Sequence, residues 1–179
     1  MSARTLDPLL VTGKAIVILC QWVMAIAGIT LLIGMPLVVI LADRITAEMR
    51  LETGNPAISL PVPLVLAALF ICLAIATLMY LFFRNLRQIV NTVGDGDPFV
   101  PANAERLTRM AWVMLAAQAL TFAIAPLGYR IGSLIADETL TAESMDVDFS
   151  GIILVITLFI LARVFRQGAA MRDDLEGTV

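Results

Sequence analysis

The residues that first invite a chemical reading lie in "GDGDPF", positions 94–99. Asp95 and Asp97 are spaced as the first and third ligands of a calcium loop. Its fifth position would then be Phe99 and its twelfth Arg106, neither of which offers the oxygen that calcium needs. Gly94 and Gly96 begin a dinucleotide fingerprint, but Phe99 stands where the third glycine belongs and no strand pattern comes before it. The chain has no histidine, which removes the usual general base and the commonest zinc and haem ligand. Cys20 and Cys72 lie inside apolar runs, where cysteine behaves as a small hydrophobe. Met110 and Met114 lie one turn apart and could be imagined with Cys72 around copper, but methionine at helical spacing reads first as packing. The expectation is therefore no catalytic residue, no cofactor and no metal, and a protein that is not an enzyme.

The elements that carry these residues follow from composition. Of 179 residues, 60% are hydrophobic and 15% charged, with mean hydropathy +0.93. A soluble domain is about 45–50% apolar. A chain of this length cannot hide such a surplus in a core, so lipid is its expected solvent. The net charge of −3 argues against direct contact with nucleic acid.

Four apolar runs stand between charges. The first, 15–42, is read as a retained span because it is much longer than a signal-peptide core of roughly 7–15 residues. Pro36, just after Gly34, is its expected kink. The second run lies between Glu52 and Arg84, with its helix starting near Pro61. The third fills the interval from Arg109 to Arg130. The fourth, from Phe149 to Ala162, is short, and Arg163 must snorkel to lengthen it.

Basic residues near span ends mark the cytoplasmic side. Arg4 and Lys14 precede span one, Arg84, Arg87, Arg106 and Arg109 lie between spans two and three, and Arg163, Arg166 and Arg172 follow span four. The other two connections are acidic on balance; the third holds Arg130 against Asp137, Glu138, Glu143, Asp146 and Asp148. The expected architecture is an all-α membrane protein, a single domain over 1–179. Four transmembrane helices form an up-down bundle, N-in and C-in, in the bacterial inner membrane. The spans are placed at about 14–42, 61–84, 109–130 and 149–166. A short cytosolic connector, 91–105, joins helices two and three, and acidic outer loops occupy 43–60 and 131–148.

Beyond Arg84, Leu86, Ile89 and Val90 form one apolar stripe, so helix two is expected to run about two turns into the cytosol. Gly94 is the expected left-handed C′ residue that ends it. Asn103 is the expected cap of helix three, with Glu105 in the first turn. Asp97, Pro98, Phe99, Val100 and Asn103 of the connector form the candidate protein-contact surface together with Leu175 and Val179 of the tail. Phe99, Val100, Leu175 and Val179 are expected to cluster. The acids Asp173, Asp174 and Glu176 would face the arginines that flank the loop.

Polar residues within spans are few: Gln21, Thr30, Thr77, Gln118, Thr121 and Thr157. An unpartnered amide in hydrocarbon costs several kcal/mol, so Gln21 and Gln118 are expected to face other helices. Gly128 and Gly132 in "GYRIG" form a G-x-x-x-G that would permit close helix packing and leaves a homodimer open.

Together these motifs resemble a bacterial inner-membrane family of unknown function, domain-of-unknown-function family 2975. Asp97-Pro98-Phe99, Asn103, Phe165, Gly168 and the terminal Thr178-Val179 carry the resemblance, which covers roughly residues 10 to 179. Members of that family are often encoded beside a small helix-turn-helix regulator. What the resemblance implies is a membrane partner of such a DNA-binding protein. The alternative, from a different class, is a small transporter or efflux component, favoured by kinked spans and disfavoured by the lack of an ionisable group at mid-span.

Overall fold

The structure, a computed structural model, describes residues 8–135 and 150–176. These form four helices: α1 (Pro8–Thr53), α2 (Val62–Gly94), α3 (Pro101–Ile135) and α4 (Ser150–Glu176). Each is long and apolar enough to cross a membrane, α4 included, which makes the short fourth run a full-length helix. The acidic stretch 136–149 lies outside the described residues.

All four helices overrun the apolar segments that nucleate them. α1 has 46 residues, roughly 69 Å at about 1.5 Å each, against about 30 Å of hydrocarbon. It runs through Pro36 without interruption. Past the apolar run, "DRITAEMRLET" (43–53) is rich in helix formers and keeps the helix going. Gly54, at φ +66°, turns the chain out of it. The outer connection expected at 43–60 is thus helical over its first eleven residues. The remainder folds back along the overhang. Asn55 Oδ1 accepts the amide N–H of Ala57 at 3.0 Å, Arg50 Nε donates to the Ile58 carbonyl at 2.8 Å, and the Leu60 amide donates to Thr46 Oγ1 at 3.3 Å. Ile58 is buried by this return.

The helices pack in chain order, α1 on α2, α2 on α3 and α3 on α4. Each neighbour runs antiparallel to the last. Leu10 and Lys14 of α1 lie beside Val90 and Gly94 of α2, Thr92 bonds Asn103 across the α2–α3 turn, and Gln118 of α3 meets Gly151 at the start of α4. The up-down order is as the sequence predicts, but the bundle is open. Among the described helices α1 packs against α2 alone, and it presents Leu19, Trp22, Ile29 and Ile40 outward. A helix that is apolar all round suits lipid on its free faces.

The core gathers where α2, α3 and α4 meet. Ile89, Leu107, Met110, Ala111, Leu158 and Ala162 are its buried centre, with Phe82, Leu86, Val93 and Met114 packed on them. Burial in a lipid-spanning protein gains little from the hydrophobic effect, so close contact must hold the helices together. Small residues supply it: Ala76, Ala104, Ala111, Ala117, Ala162 and Ala169 are all buried. On α4 the inward positions are Gly151, Val155, Leu158, Ala162, Phe165 and Ala169. Their alternating spacing of four and three is that of a coiled-coil seam, laid along α3.

Candidate functional site

The connector between α2 and α3 is shorter than the sequence predicts, 95–100 in place of 91–105. Its bend is set by backbone hydrogen bonds. The Gly96 amide donates to the Val93 carbonyl and the Asp97 amide to the Thr92 carbonyl, each at 3.0 Å. This pair is a Schellman arrangement with Gly96, at φ +86°, as its left-handed residue. Gly94, expected to play that part, instead lies in the last helical turn. Both candidates are glycines two residues apart, and the tertiary fit selects the later one.

α3 then begins at Pro101, whose fixed φ and missing N–H suit a first helical position. Asn103 is therefore inside the first turn and does not cap it. It is fully buried. Its Nδ2 donates to Thr92 Oγ1 at 2.8 Å and to the Pro98 carbonyl at 2.9 Å, while its Oδ1 accepts from Arg106 Nη1 at 2.8 Å. One amide thus ties the end of α2, the turn and the start of α3 into a unit. A buried amide satisfied at both ends adds rigidity, whereas a half-satisfied one would cost stability.

The loop reaches α4 through two residues. The Phe99 ring lies 5.4 Å from the Phe165 ring, centroid to centroid, and covers Gly168. Asp97 Oδ1 pairs with Arg172 Nη1. Phe99 keeps 41% of its surface exposed. Around it the exposed residues are Asp95, Gly96, Pro101, Ala102 and Glu105. Val100 is half-buried and its carbonyl accepts the Asn103 amide at 2.9 Å. The loop and the end of α4 do meet, and among the described residues the apolar contact uses Phe165 and Gly168. The Leu175 side chain and Val179 lie outside the described residues.

The other singled-out residues are distributed along the spans. Gln21 Oε1 accepts from Arg87 Nη1 at 3.4 Å, an α1–α2 contact. Gln118 lies against α4: a Cβ on Gly151 would meet its Oε1 at 2.2 Å. Gly128 has nothing within 4 Å of where a Cβ would stand, so among the described residues α3 uses it for no close helix approach. Gly132, its partner in the motif, is half-buried near the end of α3. Met110 and Met114, weighed as copper ligands, belong to the packed core.

Thr92 was not singled out in the sequence, although it accepts from Asn103. The 4-3 spacing of α4 would have located the seam. Phe99 lies far in sequence from Phe165 and Gly168, and only the fold brings it against that pair.

The model of the family "Protein of unknown function (DUF2975)" matches residues 45–179, from the overhang of α1 to the end of the chain. No curated protein and no solved structure matches.

Proposed function

The chain belongs to the DUF2975 family of proteins of unknown function, and from that premise we propose that it is a non-enzymatic protein of the bacterial inner membrane whose α2–α3 loop face docks a small soluble partner. The arginine bias of the sequence puts that face in the cytosol. The partner is a helix-turn-helix transcription regulator, the class of protein with which the family resemblance associates the chain.

One observation carries the reading. The loop is held in a single shape by Asn103 and by the seating of Phe99 on α4, yet it leaves an apolar edge and small side chains outward. A loop that serves only as a bend needs no such clamp to a third helix. A preformed surface loses less conformational entropy when a partner binds.

The test is co-purification of the full chain with the small DNA-binding protein encoded nearest to it. Ala102 is exposed in the first turn of α3 and serves no internal contact of the clamp. Ala102→Arg is expected to release the partner while leaving membrane insertion intact. Phe99→Asp should release it as well, but it also frees the loop from α4. Retention of the partner by both variants, or no co-purification with the native chain, overturns the proposal.

A further inference from the structure

On the flank of the α2–α3 pair, separate from the docking face, a groove of about 440 Å³ opens between the two helices. Arg84 and Arg109 line it together. These are the residues at which the uncharged run of α2 ends and that of α3 begins. Antiparallel packing therefore sets two guanidinium groups at one depth, the boundary between headgroups and hydrocarbon. On the polar side Gln88 adds an amide; on the apolar side the lining is Leu81, Trp112 and Val113.

Among the described residues neither arginine is tied to another helix. Arg84 has no hydrogen bond or ion pair among the described residues. Arg109 meets Glu105 at 3.3 Å, one helical turn away, with both side chains about two-thirds exposed. Exposed pairs of this kind exchange readily and contribute little. By contrast Asn85, on the same wall, is tied to its own helix through the Leu81 carbonyl at 2.8 Å. Trp112 is steadied by an edge contact with Phe159 of α4, at 5.6 Å between centroids, and still leaves 60% of its surface open. An indole at this depth is a typical interfacial anchor.

We propose that this groove binds an anionic phospholipid, with Arg84 and Arg109 holding its phosphate and one acyl chain lying along Leu81, Trp112 and Val113. The charge complementarity favours an anionic lipid over a zwitterionic one, whose choline or ethanolamine would meet two cations. The graded lining, cationic above and apolar below, matches one lipid molecule end to end. Guanidinium suits phosphate because its planar fork can donate two parallel hydrogen bonds. Basic pockets between transmembrane helices are a recurring means of binding acidic headgroups.

Trp112 is the reporter. The chain has two tryptophans, so Trp22→Phe leaves Trp112 alone. The full chain carrying that change is reconstituted in phosphatidylcholine bilayers containing brominated phosphatidylglycerol, and separately with the bromine on phosphatidylcholine. Trp112 is expected to be quenched preferentially by brominated phosphatidylglycerol. Arg84→Gln and Arg109→Gln should each reduce the preference about fivefold, the factor that corresponds to about 1 kcal/mol per arginine near an anionic lipid. Arg163→Gln, a basic residue of α4 toward the same end but outside the groove, should leave it unchanged.

Equal quenching by the two lipids, or an equal loss with Arg163→Gln, overturns the site and leaves only general attraction of the surface for anionic lipid. Should the glutamine variants fail to insert, Arg84→Lys and Arg109→Lys keep the charge and must retain most of the preference; its loss in inserted lysine variants also counts against the pairing. Soluble glycerol phosphate added to native bilayers should not displace the lipid. Displacement would assign the groove to a free phosphate compound and overturn the lipid assignment.

Discussion

The ring of Phe99 occupies the space where any other residue at position 168 would begin its side chain. A Cβ on Gly168 would lie 2.6 Å from Phe99 Cδ1 and 2.9 Å from Cε1. Gly168→Ala is therefore expected to force the ring out of its seat at a cost of about 1–3 kcal/mol, the usual range for overpacking. In a Phe99→Ala background the same change should cost much less, because the two sites share one space. Thermal unfolding of the four chains in detergent measures the coupling. Additive losses would mean that the ring does not rest there.

A second tight glycine gives a contrast. A Cβ on Gly151 would meet Gln118 Oε1 at 2.2 Å, nominally a worse collision. That oxygen is the far end of an unbranched side chain, whereas Phe99 must move a whole ring. Gly151→Ala should thus be the milder of the two changes, because an amide tip can turn to another staggered rotamer and remake its polar contact more easily than a ring can be displaced. A loss larger than that of Gly168→Ala would show that Gln118 is fixed in place.

Asn103→Ala deletes the clamp at once. It leaves the half-buried Pro98 carbonyl without that donor and removes the acceptor for Arg106. The expected loss is about 1–3 kcal/mol, with new protease cleavage between residues 95 and 100. Thr92→Val removes only one bond of the set and should cost about 0.5–1.5 kcal/mol. Equal protease resistance of the native chain and Asn103→Ala would deny the amide its role.

The Asp97–Arg172 pair is expected to matter less than its position invites. Its side chains keep 38% and 45% of their surface exposed, and solvent screens such pairs to about 0–1 kcal/mol. Asp97→Asn and Arg172→Gln should each shift stability within that range, and less at high salt. A loss above about 2 kcal/mol would assign the pair a structural weight comparable to the Asn103 clamp.

Sidedness can be read by thiol labelling. After Cys20→Ala and Cys72→Ala, single cysteines at Ser59 and Ala102 sit in exposed positions near opposite ends of α2. An impermeant reagent added to intact cells should label Ser59→Cys, while Ala102→Cys should label only after lysis. Labelling of both from the same side is incompatible with α2 and the adjoining start of α3 crossing once between them.

What the sequence determined by itself was everything that depends on the solvent. Uninterrupted apolar runs in lipid must close their own backbone hydrogen bonds, so four long helices follow from hydropathy alone. Arginines at the span ends carry the orientation proposal by the same local logic. The ends of the helices were not legible in this way. Residues 43–53 are polar enough to read as loop, yet stay helical, because helix propensity and packing on a neighbour continue what lipid begins. Nor could the sequence choose between Gly94 and Gly96, since either can adopt a left-handed conformation; where Phe99 and Asp97 land on α4 decides it. Asn103 reads locally as a cap, and only the approach of Thr92 and the Pro98 carbonyl makes it a buried clamp. The same holds for Arg84 and Arg109. Each alone is a basic residue at the end of a span, and the antiparallel packing of α2 on α3 places them in one groove, because residues equally distant from a turn along two antiparallel helices come to the same depth.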